Sequence, residues 1–271
     1  AALNSINIPN TARTIGDYAF AGCAALTNIT LPDSLQTLGG YAFSGAGLTN
    51  ITIPNKLKEL RERTFASCPN LTTVVLGDSL KTIAADYSGA FYETPNITSV
   101  TFGNGIEEIN HAFSGQQKLT KVILGKKVKT IGNSAFNGCA ALASFNFPET
   151  ITQLGSSAFS NTALRTLTLP SKLTQIPEMA FYNCDSLHSI ILGKQITQIA
   201  NNAFGECDSI REVTVDNTIP EIINIASSFA NMRKISFGVS VTEIPDNLLS
   251  NKSKLQAVSY THLRAHETLS D

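Results

Sequence analysis

The sequence predicts a repeat solenoid, in which one strand-and-turn unit of 22–26 residues is written about eleven times and its copies stack through a parallel strand ladder. Three periodic features carry this reading. Phenylalanine recurs at Phe20, Phe43, Phe65, Phe91, Phe113, Phe136, Phe159, Phe181, Phe204 and Phe229, with Leu249 in the same phase once more. An apolar triplet of the form L-x-x-I-x-L follows each phenylalanine, as in Leu26, Ile29, Leu31 and Leu187, Ile190, Leu192. A second pattern, L-x-x-I, precedes the next one, as in Leu35, Leu38 and Ile196, Ile199.

Each feature maps to a local structure. The last two members of the triplet alternate with polar residues, the period of a half-buried strand. Pro or Gly comes next (Pro32, Pro54, Gly77, Gly103, Gly125, Pro148, Pro170, Gly193, Gly238) and ends the strand. The second pattern reads as a short extended segment. The Ala-Phe pair reads as a short helical or 3₁₀ turn. No unit can bury its apolar face alone, so neighbours stack phenylalanine on phenylalanine and strand beside strand. Phe102, Phe145, Phe147 and Phe237 take strand core positions that are aliphatic elsewhere, which accounts for all 14 phenylalanines. About twelve strands about 4.8 Å apart give a body on the order of 50 Å long.

The units Leu26-Thr-Asn-Ile-Thr-Leu-Pro32 and Ile131-Gly-Asn-Ser-Ala-Phe-Asn-Gly-Cys139, repeated in phase from Leu3 to about Tyr260, resemble the BspA-like, or Treponema-type, leucine-rich repeats. The resemblance implies a β-rich leucine-rich-repeat solenoid. It also implies a non-enzymatic adhesion or protein-binding module of a bacterial or protozoan surface or secreted protein. Its partner would be a protein on a host or neighbouring cell or in a matrix. A carbohydrate-binding module is the alternative.

We expect one solenoid over residues 1–260. Ala1-Ala2-Leu3 matches Ala24-Ala25-Leu26, so the chain begins inside a repeat and reads as a fragment. Residues 261–271 abandon the pattern and read as a non-native or disordered tail; His262 and His266 there have only weak metal-ligand spacing. The long Ile83–Phe91 and Val215–Phe229 intervals predict irregular coils at Ala84–Gly89 and before Phe229, away from the main strands.

A net charge of −1 lacks the basic field that nucleic acid or an anionic membrane requires. No apolar run approaches the roughly 18 residues of a membrane span, and no signal peptide is visible. Cys23, Cys68, Cys139, Cys184 and Cys207 each follow a ladder phenylalanine by three residues. One repeated structural position therefore explains all five as free, buried thiols. Only Cys184 and Cys207 stand in adjacent units. Asn28, Asn50, Asn70, Asn96 and Asn251 begin N-x-[ST] sequons, which polar repeat surfaces produce by chance. His111 and His188 have no nucleophile and acid that the repeat would bring beside them, and no phosphate-binding, hydrolase or metalloprotease motif occurs. We therefore expect no catalytic residues, metal or cofactor. The lysine run Lys118, Lys121, Lys126, Lys127 and Lys129 reads as a solvated face.

The candidate binding surface is the outward side of the main strands. Its residues are Asn28, Thr30, Asn50, Thr52, Thr73, Ser99, Thr101, Lys121, Ser144, Asn146, Thr166, Thr168 and Ser189. It is long, rich in hydroxyl and amide groups, and weakly charged. Thr also suits any exposed strand for reasons of β-propensity alone.

Overall fold

A computed structural model describes residues 2–85, 89–216, 229, 231–241, 249 and 253–260. The chain is a parallel-stranded β-solenoid of about 10 turns. The regular coil runs through a main strand, a Pro or Gly turn, a two-residue second strand and a pair of turns that carry the phenylalanine; at Asn28–Leu31 the main-strand position forms no paired strand.

The main strands form two parallel sheets. The first contains Asn50–Thr52, Thr73–Val75, Ser99–Thr101 and Lys121–Ile123. The second contains Thr166–Thr168, Ser189–Leu192, Glu212–Val215, Lys234–Phe237 and Ala257–Tyr260. Register follows the repeat: Asn50 pairs with Thr73, Thr73 with Ser99, and Ser99 with Lys121. The second segment pairs as well. Thr14–Ile15 with Thr37–Leu38, Glu59–Leu60 with Thr82–Ile83, and Gln175–Ile176 with Gln198–Ile199 form two-stranded ladders. Glu108–Ile109, Thr130–Ile131 and Gln153–Leu154 form a three-stranded one. Each coil thus presents two laddered sides and one turn edge.

Two expectations need correction. The main ladder is interrupted between Lys121–Ile123 and Thr166–Thr168, where Ser144–Phe147 is not a strand. Phe145 and Phe147 occupy the inward positions of that coil, and their rings crowd each other at 4.7 Å and Phe159 at 4.7 and 5.2 Å. Two phenyl rings need more room than the Ile–Leu pairs of neighbouring coils, and the backbone gives up its regular pairing to accommodate them.

The Ala-Phe turns are not helical either, and no helix occurs among the described residues. The cause is backbone handedness. Two residues before the phenylalanine, Tyr18, Tyr41, Arg63, Ser134, Ser157 and Met179 have φ between 50° and 57°. Two residues after it, Gly22, Gly45, Ser67, Glu93, Gly115, Gly138, Asn161, Asn183 and Glu206 have φ between 51° and 76°. In six coils a left-handed residue stands on each side of the ring, and at Phe91, Phe113 and Phe204 one follows it; either arrangement interrupts a right-handed helical turn.

The phenylalanine stack is continuous. Successive rings from Phe20 to Phe204 lie 5.1–6.4 Å apart, and the stack turns edge-on only at Phe229, 6.1 Å from Phe204. Most of these rings are fully buried, and the triplet residues complete the core. Glycine at the strand ends is a packing requirement. A Cβ at Gly103 would lie 2.4 Å from the Gly77 carbonyl oxygen, and one at Gly125 would lie 2.1 Å from that of Gly103. The expected bulge at Ala84–Gly89 is closed at its base by Ala90 N donating to Ala84 O at 2.9 Å. Residues 86–88, the expanded segment at 217–228, and the tail at 261–271 lie outside the described residues.

Candidate interaction surface

Because the strands are parallel and in register, chemically similar side chains line up in straight rows. Asn50, Thr73, Ser99 and Lys121 form one such row, and Thr52, Val75, Thr101 and Ile123 another. Thr166, Ser189, Glu212 and Lys234 continue the pattern beyond the interruption. Asn28, Thr30, Asn50, Thr52, Lys121, Ser144, Asn146, Thr166 and Thr168 are exposed. Thr73, Ser99, Thr101 and Ser189 are half-buried between their neighbours. Ile123 and Ile191 add exposed apolar points.

At the interruption the same side opens into a shallow groove of about 460 Å³ lined by Ser144, Phe145, Asn146, Phe147, Glu149 and Thr166, among others. The half-buried ring of Phe145 therefore brings an aromatic wall to this surface. Glu149 accepts hydrogen bonds from Ser171 Oγ at 2.5 Å and Ser171 N at 3.0 Å. These bonds, the side-chain one first, lower its pKa below the usual carboxylate value.

Two further rows escaped the sequence reading. Just before the main strands, each threonine hydroxyl donates to the carbonyl of the threonine one coil earlier: Thr49 to Thr27, Thr72 to Thr49, Thr98 to Thr72 and Thr120 to Thr98, at 3.0–3.3 Å. Beyond the interruption the same position is basic, with Arg165, His188, Arg211 and Arg233 in consecutive coils joined by backbone bonds of 2.8–3.1 Å. Both rows are legible once the sequence is written one coil per line, at the position immediately after the first triplet residue.

The cysteine position is a hydrogen-bonding device. The thiols of Cys68, Cys139, Cys184 and Cys207 donate to the carbonyls of Phe43, Phe113, Phe159 and Phe181 at 3.0–3.3 Å. Thr94 does the same toward Phe65 at 2.7 Å, whereas Thr162 turns to Phe159 at 2.9 Å. All five cysteines are free. Burial pushes the Cys68 thiol up to about 11 and that of Cys139 up to about 12. Cys207 is raised by its hydrogen bond with Cys184 and by burial.

The remaining candidates stay apart. The lysine run is exposed; Lys129 pairs with Glu107 at 3.0 Å, and Lys118 bonds the Asn96 amide oxygen. The hydrogen bond from Lys129 holds Glu107 below its usual pKa. His188 Nδ1 lies 2.7 Å from Ser186 O, and His111 sits half-buried at the turn edge. Of the sequon asparagines, Asn28, Asn50 and Asn70 are exposed, Asn96 is half-buried, and Asn251 lies outside the described residues, as do His262 and His266. Among the described residues no group of three or more His, Cys, Asp or Glu could hold a metal ion. No described helix is long and apolar enough to cross a membrane.

Parallel strands, stacked phenylalanines and outward polar rows define the class: a leucine-rich-repeat solenoid. The chain belongs to the family described as "BspA type Leucine rich repeat region (6 copies)", which it matches over residues 1–113, 109–231 and 180–265. Solenoids of this class are generally non-catalytic and generally bind proteins. Among solved structures it is similar to a leucine-rich repeat protein from Bacteroides ovatus, at 23% identity and a TM-score of 0.57, covering 94% of this chain and 76% of that one. It is also similar to a leucine-rich repeat protein of T. pallidum, at 23% identity and a TM-score of 0.45, covering 78% and 85%. The pneumococcal vaccine antigen PcpA gives 19% identity and a TM-score of 0.47, covering 83% and 59%. Compared with curated proteins, the chain finds no match.

Proposed function

We propose that the chain is a non-enzymatic protein-interaction or adhesion module of a surface or secreted protein, and that it binds through the outward side of the main strands. The observation that supports this most is the row-by-row register of outward polar side chains in the two main sheets, Asn50, Thr73, Ser99 and Lys121 in one and Thr166 and Ser189 in the other. Such a surface presents outward positions at a constant spacing from coil to coil and suits an extended partner. Family membership supports the same reading, since these proteins are typically surface or secreted. Affinity would then be spread over several coils. Glutamate substitutions at Thr52, Ser99, Ser144 and Thr166 should weaken a protein partner progressively and leave the fold intact. Substitutions on the second ladder's side, at Gln36, Lys81, Lys129 and Gln153, should have little effect. A screen against surface and matrix proteins, followed by binding measurements on both sets, tests this. Loss of binding with the second set alone would place the function elsewhere.

The alternative, a carbohydrate ligand, is favoured by one observation: the groove that places Phe145 beside Asn146 and Glu149. A sugar ring can stack on a phenyl face while its hydroxyls bond to amide and carboxylate groups. A glycan array in which binding disappears in Phe145→Leu would select this reading over the first.

A further inference from the structure

The position three residues after each ladder phenylalanine holds a small donor, Cys or Thr, in seven coils; Ala46, Met232 and Gln116 depart from that pattern, and of these only Gln116 is polar. Its side chain is only 6% exposed, and its Oε1 is buried without a hydrogen-bond partner. A buried amide carbonyl left unpaired costs free energy that Thr or Cys here would avoid. Gln116 lines an open cavity of about 560 Å³ at the turn edge, between the coils of Phe91 and Phe113.

The chemistry around Gln116 favours acceptors. Ser114 Oγ donates its proton to Asn137 O at 3.4 Å, and Thr94 Oγ1 donates to Phe65 O at 2.7 Å. Thr94 Oγ1 also accepts from Cys68 N at 3.4 Å, so the free acceptor capacity of the two lies with the exposed Ser114 hydroxyl. The Glu93 carboxylate, exposed at the rim, accepts a bond of 3.3 Å from Ser67 Oγ and has further acceptor capacity. Phe91 and Pro95 supply apolar wall, and none of the lining residues is lysine or arginine. The Arg63 guanidinium already lies 4.4 Å over the Tyr92 ring, so an incoming cation would be recognised by Gln116 and Glu93 rather than by that ring.

We propose that this cavity binds a primary alkylammonium group, which donates N–H to Gln116 Oε1 with its charge toward Glu93 and its alkyl stem along Phe91 and Pro95. The group can arrive as a lysine side chain of a protein partner or as a free amine. The site lies on the turn edge and is independent of the strand face proposed above.

The test is an NMR titration of the isotopically labelled chain with n-butylammonium, using n-butanol as the neutral control. A blocked lysine tripeptide is compared with its norleucine counterpart. Saturable shifts at the amides of Glu93, Ser114 and Gln116 are expected with the amine and not with the alcohol. Gln116→Thr should weaken binding by about tenfold or more, the loss of one charge-assisted hydrogen bond. That variant should fold normally, because the solenoid already uses threonine at Thr94 and Thr162, and its thermal stability should equal or exceed the parent's. Glu93→Gln should weaken binding several-fold at low salt. Tighter binding of the lysine peptide than of butylammonium identifies a protein source; the reverse identifies a free amine. The proposal is overturned by equal shifts with butanol, by unchanged affinity in Gln116→Thr, or by no saturable shift. A crystal structure in which an ordered water bonded to Gln116 Oε1 resists displacement by butylammonium overturns it too.

Discussion

Replacing Phe136 with alanine removes a middle rung of the aromatic stack. The ring is fully buried, lies 6.4 Å from Phe113 and 5.4 Å from Phe159 in stacked geometry, and has Phe145 tilted against it at 5.4 Å. Truncation forfeits about 100 Å² of buried apolar surface, about 2.5 kcal/mol at 25 cal/mol per Å². The aromatic pairs add about 0.5–1.5 kcal/mol each. Partial collapse of the flanking coils recovers some of this and leaves about 3–5 kcal/mol, the usual range for such truncations. Phe20 offers the internal control: it is only partly buried and has one stacked neighbour, Phe43, at 5.1 Å. Its truncation should cost about 1–2 kcal/mol, because a solenoid couples each coil only to its neighbours. Urea denaturation followed by far-ultraviolet circular dichroism, with both variants fitted to a common slope, measures the two costs. A loss below about 1 kcal/mol for Phe136→Ala, or equal losses at both sites, would refute the stacked, nearest-neighbour account. Phe229, where the stack turns edge-on, should also cost less than Phe136.

Three other outcomes are expected. Gly103→Ala should destabilise by about 1–3 kcal/mol through its clash with the Gly77 carbonyl. Gly16→Ala, whose added Cβ would meet nothing within 4 Å, should be neutral or slightly stabilising in the same thermal melt. Native Cys68 and Cys139 should resist thiol reagents, while denatured, non-reduced protein should titrate five thiols. Because the folded pKa of Cys139 is raised, to about 12, its stabilising contribution is complete below the unfolded value of 9.0 and is lost as pH rises through the folded one. Cys139→Thr should therefore flatten the decline of stability across that window by up to about 1.4 kcal/mol per pH unit. Amides at Ser144–Asn146 should exchange with deuterium faster than those at Ser99–Thr101, since only the latter lie in a paired strand; equal protection would mean that the ladder is continuous in solution.

The coil was legible in the sequence because its determinants are local and repeated. Leu, Ile and Phe recur in phase, so a single assumption of stacking places the whole core, including strand register and the burial of Cys68, Cys139, Cys184 and Cys207. The outward direction of the strand residues follows from the same alternation, although Thr73, Ser99 and Thr101 are half-buried between their neighbours. Alternation reports only which way a side chain points, however, and says nothing about what it meets.

Contacts between coils were decided by the tertiary structure. The interruption at Ser144–Phe147 arises because two rings must share space with Phe159, a volume conflict invisible to a pattern that scores Phe and Ile alike. The turns around each phenylalanine are left-handed at positions filled by Tyr, Arg, Ser, Met and Glu as well as Gly. Residue type alone does not mark that handedness, and a short helical reading looked equally natural. The second ladder, the threonine row and the thiol-to-carbonyl bonds join residues 22–26 apart. Gln116 is the sharpest case: in sequence it is one more polar residue in a turn, and only stacking leaves its carbonyl buried without a partner beside an open cavity. Periodicity determines the coil, because each unit needs the same neighbours. Where side chains from different coils compete for one volume or one hydrogen bond, only the packed structure decides.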